Sequence, residues 1–141
     1  MSRLISTHGS PTTQRNRLRR TIAEALRTLM QKQTLDEETR DLAALIWFSL
    51  RALEANIDQS ASAWEKRNYY IKADRFRAQW EWLTPMQRRL ERILREELWE
   101  LLPPLLADLS RYFDDITVNR RTRSKALWQG AYQRFLEEMR K

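Results

Sequence analysis

Apolar residues recur along the chain at helical spacing. Leu18, Ile22, Leu26, Leu29 and Met30 follow one another at intervals of four, four, three and one, which lays a single stripe along a helix starting near Thr12 or Thr13. The opposite surface of that helix carries Arg15, Arg17, Arg20 and Arg27. Ahead of it, Met1 to about Pro11 is polar and contains Gly9-Ser10-Pro11. This reads as a loose tail, so residues 1–11 are expected to be flexible and 12–141 to form one helical-bundle domain.

Thr34 followed by Glu37 has the form of a capping box opening a second helix, with Leu42, Leu45, Ile46, Leu50, Leu53 and Ile57 on its apolar side. Trp47 and Phe48 widen that side enough to bury most of the helix. Asp58, Ser60 and Ser62 are all good caps, and a break is expected among them, because an unbroken helix from Thr34 to Trp82 would be about 70 Å long. Thr84 and Pro85 suit the N-cap and first position of another helix, carrying Met86, Leu90, Ile93, Leu94, Leu98 and Leu101 up to Pro103-Pro104, which are expected to turn the chain. A short helix with Leu105, Leu106, Leu109, Phe113 and Ile116 follows. After a polar loop from Asp114 to Arg123, a last helix from about Ser124 to Met139 presents Trp128, Ala131, Tyr132, Phe135 and Met139.

Composition sharpens this pattern. Two glycines in 141 residues are too few for the turns of a sheet protein, whereas 42% hydrophobic residues suffice for a core. The expected fold is therefore all-α, a compact bundle of five to six helices. The absence of cysteine excludes thiol chemistry, disulfides and cysteine-ligated metal. The one histidine, His8, lies in the tail, so no histidine base or ligand is offered by the bundle. Asp114-Asp115 are adjacent and point different ways, which suits a helix end better than a cation site. Gly9 and Gly130 alone cannot build a phosphate-cradling loop. The chain is expected to have no catalytic residues, no cofactor and no metal, and not to be an enzyme.

Met1 to Arg20 contains five arginines and no acid, but no apolar run of signal-peptide length. The apolar run through Ala43 to Phe48 is too short to span a bilayer, and a cytoplasmic location with no membrane partner is expected.

Twenty-six Lys and Arg against 19 Asp and Glu give a net charge of +7. Such a surplus bears on partners rather than on fold, and points to a nucleic-acid backbone; the competing reading is a charge that only maintains solubility. Trp64 to Leu83, taken as one helix, is apolar on two sides. Tyr69, Ala73, Phe76, Trp80 and Leu83 share one face, while Trp64, Ile71, Ala78 and Trp82 gather opposite. One flank between them, Asn68, Lys72, Arg75 and Gln79, is nearly free of acids. A row of cations and amides beside aromatics suits a sugar-phosphate backbone, although it could equally be a solvated edge. Two further clusters, Arg15, Arg17, Arg19 and Arg20 in the first helix and Arg120, Arg121, Arg123 and Lys125 near the last, complete the candidate contacts. For the second, hydroxyls and a helix start at Ser124 would assist phosphate binding.

The stretches Trp64-Glu65-Lys66-Arg67 and Lys72-Ala73-Asp74-Arg75-Phe76-Arg77, with Trp80 beyond, resemble the helical C-terminal part of the large subunit of type I-D CRISPR effector complexes. In that family the same region is also made alone as a small subunit. The resemblance implies a non-catalytic helical bundle, present in several copies along a guide RNA, whose basic surface meets target or displaced DNA. Carried over, it singles out Lys72, Arg75, Arg121, Arg123 and Lys125. The expected partners are thus DNA or guide-RNA backbone, further subunits and copies of the chain itself, with no small-molecule substrate. The alternative is a protein-binding adaptor that docks through the aromatic face and has no nucleic-acid role. A sequence-specific regulator is disfavoured, since no helix-turn-helix with a Gly-bearing turn is visible.

Overall fold

Ser10 opens the first helix. Its Oγ accepts the Thr13 N–H at 3.1 Å, and Pro11 takes the first helical position, where its missing N–H costs nothing. The computed structural model describes residues 9–141, so most of the tail expected for residues 1–11, His8 included, lies outside the described residues. Helix α1 (Pro11–Gln31) begins one residue earlier than expected, because Ser10 and Pro11 together form its start.

Helix α2 (Glu37–Lys66) runs back antiparallel to α1, which places Arg15 beside Asn56 and Lys32 beside Asp36 and Glu38. Its cap is Asp36 rather than Thr34. The Asp36 carboxylate accepts the Thr39 N–H at 2.9 Å, and the Thr34 carbonyl instead accepts the Thr39 hydroxyl at 3.0 Å. Two overlapping four-residue frames fit the capping pattern here. The later one keeps Glu37 and Glu38 in the first turn, where the helix dipole favours them.

The break expected among Asp58, Ser60 and Ser62 does not occur. These side chains are engaged by the neighbouring helices and do not compete for their own backbone. Asp58 accepts from Arg77 at 2.8 Å, Ser60 from Arg15 at 3.4 Å and Ser62 from Arg77 at 3.5 Å. The helix stops at Arg67 with a complete Schellman closure, in which the Asn68 and Tyr69 N–H groups reach the Glu65 and Trp64 carbonyls at 3.0 and 2.9 Å. Asn68 supplies the left-handed residue at φ 66°, a role more often filled by glycine. At 30 residues α2 is about 45 Å long.

Helix α3 (Tyr70–Gln79) follows, and α4 (Leu83–Glu96) begins before Thr84, so Thr84 is not its cap; the Thr84 hydroxyl donates instead to Glu54 on α2. Glu97, left-handed at φ 55°, ends α4 short of Leu98 and Leu101, and this is where the chain turns. After a 3-10 turn at Trp99–Leu101, Pro103 and Pro104 sit in the first turn of α5 (Leu102–Ser110). They help to open that helix rather than ending the one before, since first-turn N–H groups have no helical partner to lose. The expected last helix is divided at Gly130, φ 82°, into the single turn α6 (Lys125–Trp128) and α7 (Ala131–Met139).

Among the described residues there is no strand, and the fold is an all-α bundle. Helix α2 is its axis: Leu42 to Leu50 are all buried, and α1, α3, α4 and α7 pack around it. Trp47 locks α2 to α7, lying edge-on to Phe135 with centroids 4.9 Å apart. Buried Asp41 adds a polar joint, accepting the Gly130 and Tyr132 N–H groups at 3.0 Å each and so capping α7 from another helix. No helix among the described residues is long and apolar enough to cross a membrane.

Candidate nucleic-acid interface

The two arginine clusters, 100 residues apart in sequence, meet around Glu24. The segment after α5 folds over the polar side of α1, so a carboxylate that faces away from the apolar stripe is nevertheless 4% exposed. Glu24 accepts the Thr122 and Arg123 N–H groups at 2.7 and 3.0 Å, the Thr122 hydroxyl, and Arg20 Nε at 2.7 Å. Burial alone would raise its pKa, but these donors outweigh it and bring the group to about 2. Arg20 also donates to the Thr117 and Arg120 carbonyls at 3.1 and 3.0 Å. Arg123 in turn donates to Thr21 Oγ1 at 3.0 Å and the Arg17 carbonyl at 2.9 Å.

Several expected phosphate contacts are thereby occupied within the fold. Arg20 and Arg123 clasp the loop. Arg15 donates to Asn56 Oδ1 at 2.8 Å and lies 5.0 Å over the Phe76 ring, tying α1 to α2 and α3. Arg19 is held by Asp115 at 2.6 Å, so that aspartate is an ion-pair partner within the fold. Arg121 is half engaged: it donates to Thr28 Oγ1 at 3.1 Å and sits 4.9 Å over the Trp128 ring. Arg17, Arg120 and Lys125 are exposed. The helix that Ser124 opens is one turn long and gives no phosphate site by itself. Arg27, Arg120 and Arg121 face a common hollow of about 240 Å³, together with Thr28, Gln31 and Asn119. Glu24 also borders it, with its oxygens filled by the donors above. Cations beside hydroxyl and amide donors can receive a phosphate.

A second cationic surface lies where α2 turns into α3. The break at Asn68 removes Trp64 from the helix that follows and changes the phase of Tyr69, so the two aromatic faces expected for Trp64 to Leu83 do not form as such. Ala73 and Leu83 are buried, and Phe76 and Trp80 are half-buried against the core. Tyr69 is instead 50% exposed and Ile71 70%. Ala78 is exposed too, while Trp82 stacks on Tyr112 at 4.1 Å. Lys72 is exposed, its Nζ 4.5 Å over the Trp64 ring, and Arg75 and Gln79 are exposed further along α3. Asn68 accepts the Tyr70 hydroxyl at 3.2 Å. Trp64, Arg67, Asn68, Tyr69, Tyr70, Ile71 and Lys72 line an open hollow of about 720 Å³.

Neither Tyr70 nor Arg67 at this corner was among the contacts expected from the sequence, and Glu24 was missed as the organiser of the other surface. The pairing of Asn68 with flanking aromatics was a usable signal, since Asn tolerates the left-handed conformation. Glu24 gave none, because its burial depends on a loop about 100 residues away. Among the described residues no group of His, Asp or Glu is placed to hold a metal ion. The chain matches no protein-family model, no curated protein and no solved structure.

Proposed function

We propose that this chain is a non-catalytic, basic helical subunit that binds nucleic-acid backbone, and that it acts within an RNA-guided CRISPR effector complex. The observation that carries the first part is the gathering of Arg20, Arg27, Arg120, Arg121 and Arg123 around one buried carboxylate already filled by four donors. Positive potential on that side is left to act outward, and planar guanidinium groups match phosphate oxygens. The second part rests on the resemblance of the segment from Trp64 to Trp80.

Charge reversal tests the binding mode. Arg27→Glu with Arg120→Glu alters two exposed residues at the rim of the basic hollow, and Lys72→Glu with Arg75→Glu alters the exposed flank of α3. Each pair is expected to weaken binding of DNA and RNA about tenfold or more, with little sequence dependence and an unchanged thermal melt. Parent-like binding by both pairs in a filter assay contradicts the proposal.

A protein-docking reading is favoured by one observation at the other end of α2. Met30, Leu35 and Leu101 are 55, 45 and 43% exposed, and Leu35, Trp99, Leu102 and Pro103 border an apolar hollow of about 350 Å³. That surface suits a neighbouring subunit and is compatible with a nucleic-acid role elsewhere on the chain.

A further inference from the structure

We propose that the α2–α3 corner stacks unpaired nucleobases on Tyr69 and Tyr70, so that the nucleic acid this chain takes is single-stranded; this rests on the backbone-binding reading and specifies its ligand. Tyr69 and Tyr70 are 50 and 57% exposed on consecutive residues. Arg67 covers one side of the Tyr69 ring at 5.2 Å, and among the described residues no ring stacks on Tyr70. Two exposed aromatic rings beside one open hollow are costly to leave to water unless a flat partner takes them.

The charge around the rings selects the partner. Arg67 and Lys72 border the hollow and no carboxylate does; the adjacent Glu65 is turned to Arg77, which it meets at 3.1 Å and which Asp58 shares. The occupant is therefore flat and anionic, as a nucleotide strand is, with bases on the rings and phosphates on Arg67 and Lys72. The platform is also held in place before binding. The Schellman closure fixes the backbone from Trp64 to Tyr69, and the Tyr70 hydroxyl is tied to Asn68 Oδ1. A duplex presents its bases already stacked and paired, so it can offer this corner phosphates alone, whereas a single strand offers both.

The test compares the full-length protein and its Tyr69→Ala/Tyr70→Ala variant on an oligodeoxythymidine strand and on a duplex of equal length, by fluorescence anisotropy. For the parent, the strand should bind more tightly than the duplex. In the variant, strand affinity should fall about tenfold or more while duplex affinity stays within about twofold. The corresponding double Phe variant keeps both rings and loses only the Tyr70–Asn68 tie, so it should bind the strand far more tightly than the double Ala variant. A strand carrying 5-iododeoxyuridine should photocrosslink to Tyr69 or Tyr70. Equal strand and duplex binding by the parent, or a double Ala variant that keeps full strand affinity, overturns the stacking site and leaves the backbone reading standing. A parent that binds neither probe overturns both.

Discussion

Glu24→Ala should destabilise the protein by about 3 kcal/mol or more at neutral pH and release the loop that carries Arg120 to Arg123. The substitution leaves the Thr122 and Arg123 N–H groups and Arg20 Nε, all part-buried, without the acceptor that holds them to α1. Urea unfolding should register the loss of stability. Trypsin should cut at Arg120, Arg121 or Arg123 faster than in the parent. The same carboxylate predicts an acid limb. Its folded pKa, about 2, lies below the ordinary value of 4.5, so its contribution is complete above that ordinary value and is lost as pH falls towards 2. Parent-like stability and trypsin resistance in the variant would show that the loop is held by something else.

Trp47→Ala should cost a comparable amount, about 3–5 kcal/mol. The ring is 2% exposed, lies edge-on to both Phe48 and Phe135, and has the Arg51 guanidinium 4.7 Å over it. Removing it opens a cavity at the seam between α2 and α7 that neither helix can close without moving. Trp47→Phe should recover much of the loss, since most of the apolar volume returns and the indole Nε1, which is buried without a hydrogen-bond partner, is removed. Chemical denaturation of the two variants measures both effects. A Trp47→Ala protein as stable as the parent would place the core elsewhere. Trp80, which the apolar periodicity makes an equal anchor, is only half-buried and should matter less.

The bundle was legible because its determinants are local. The stripe from Leu18 to Leu29, the broad face around Trp47 and Phe48, and the scarcity of glycine need no tertiary information. The helix ends were less so. Asn68 and Glu97 take left-handed conformations without being glycine, Ser60 and Ser62 are spent on neighbouring helices, and the pair Pro103-Pro104 opens α5 where a stop was expected. The cationic site was legible in composition but not in detail. Whether an arginine faces solvent or a carbonyl depends on where a distant loop lands. Arg120 and Arg123 look alike in sequence, yet the first lies exposed at the rim of a hollow while the second binds Thr21 and the Arg17 carbonyl.

Binding measured across a series of salt concentrations tests the central claim most directly. If phosphates supply the affinity, log K for the full-length protein should fall linearly with log salt, by about 0.7 per phosphate neutralised on a single strand and about 0.9 on a duplex. The Arg27→Glu/Arg120→Glu variant should give a shallower line. Affinity that does not change between about 50 and 200 mM salt would contradict backbone binding and leave the chain as a protein-docking helical subunit.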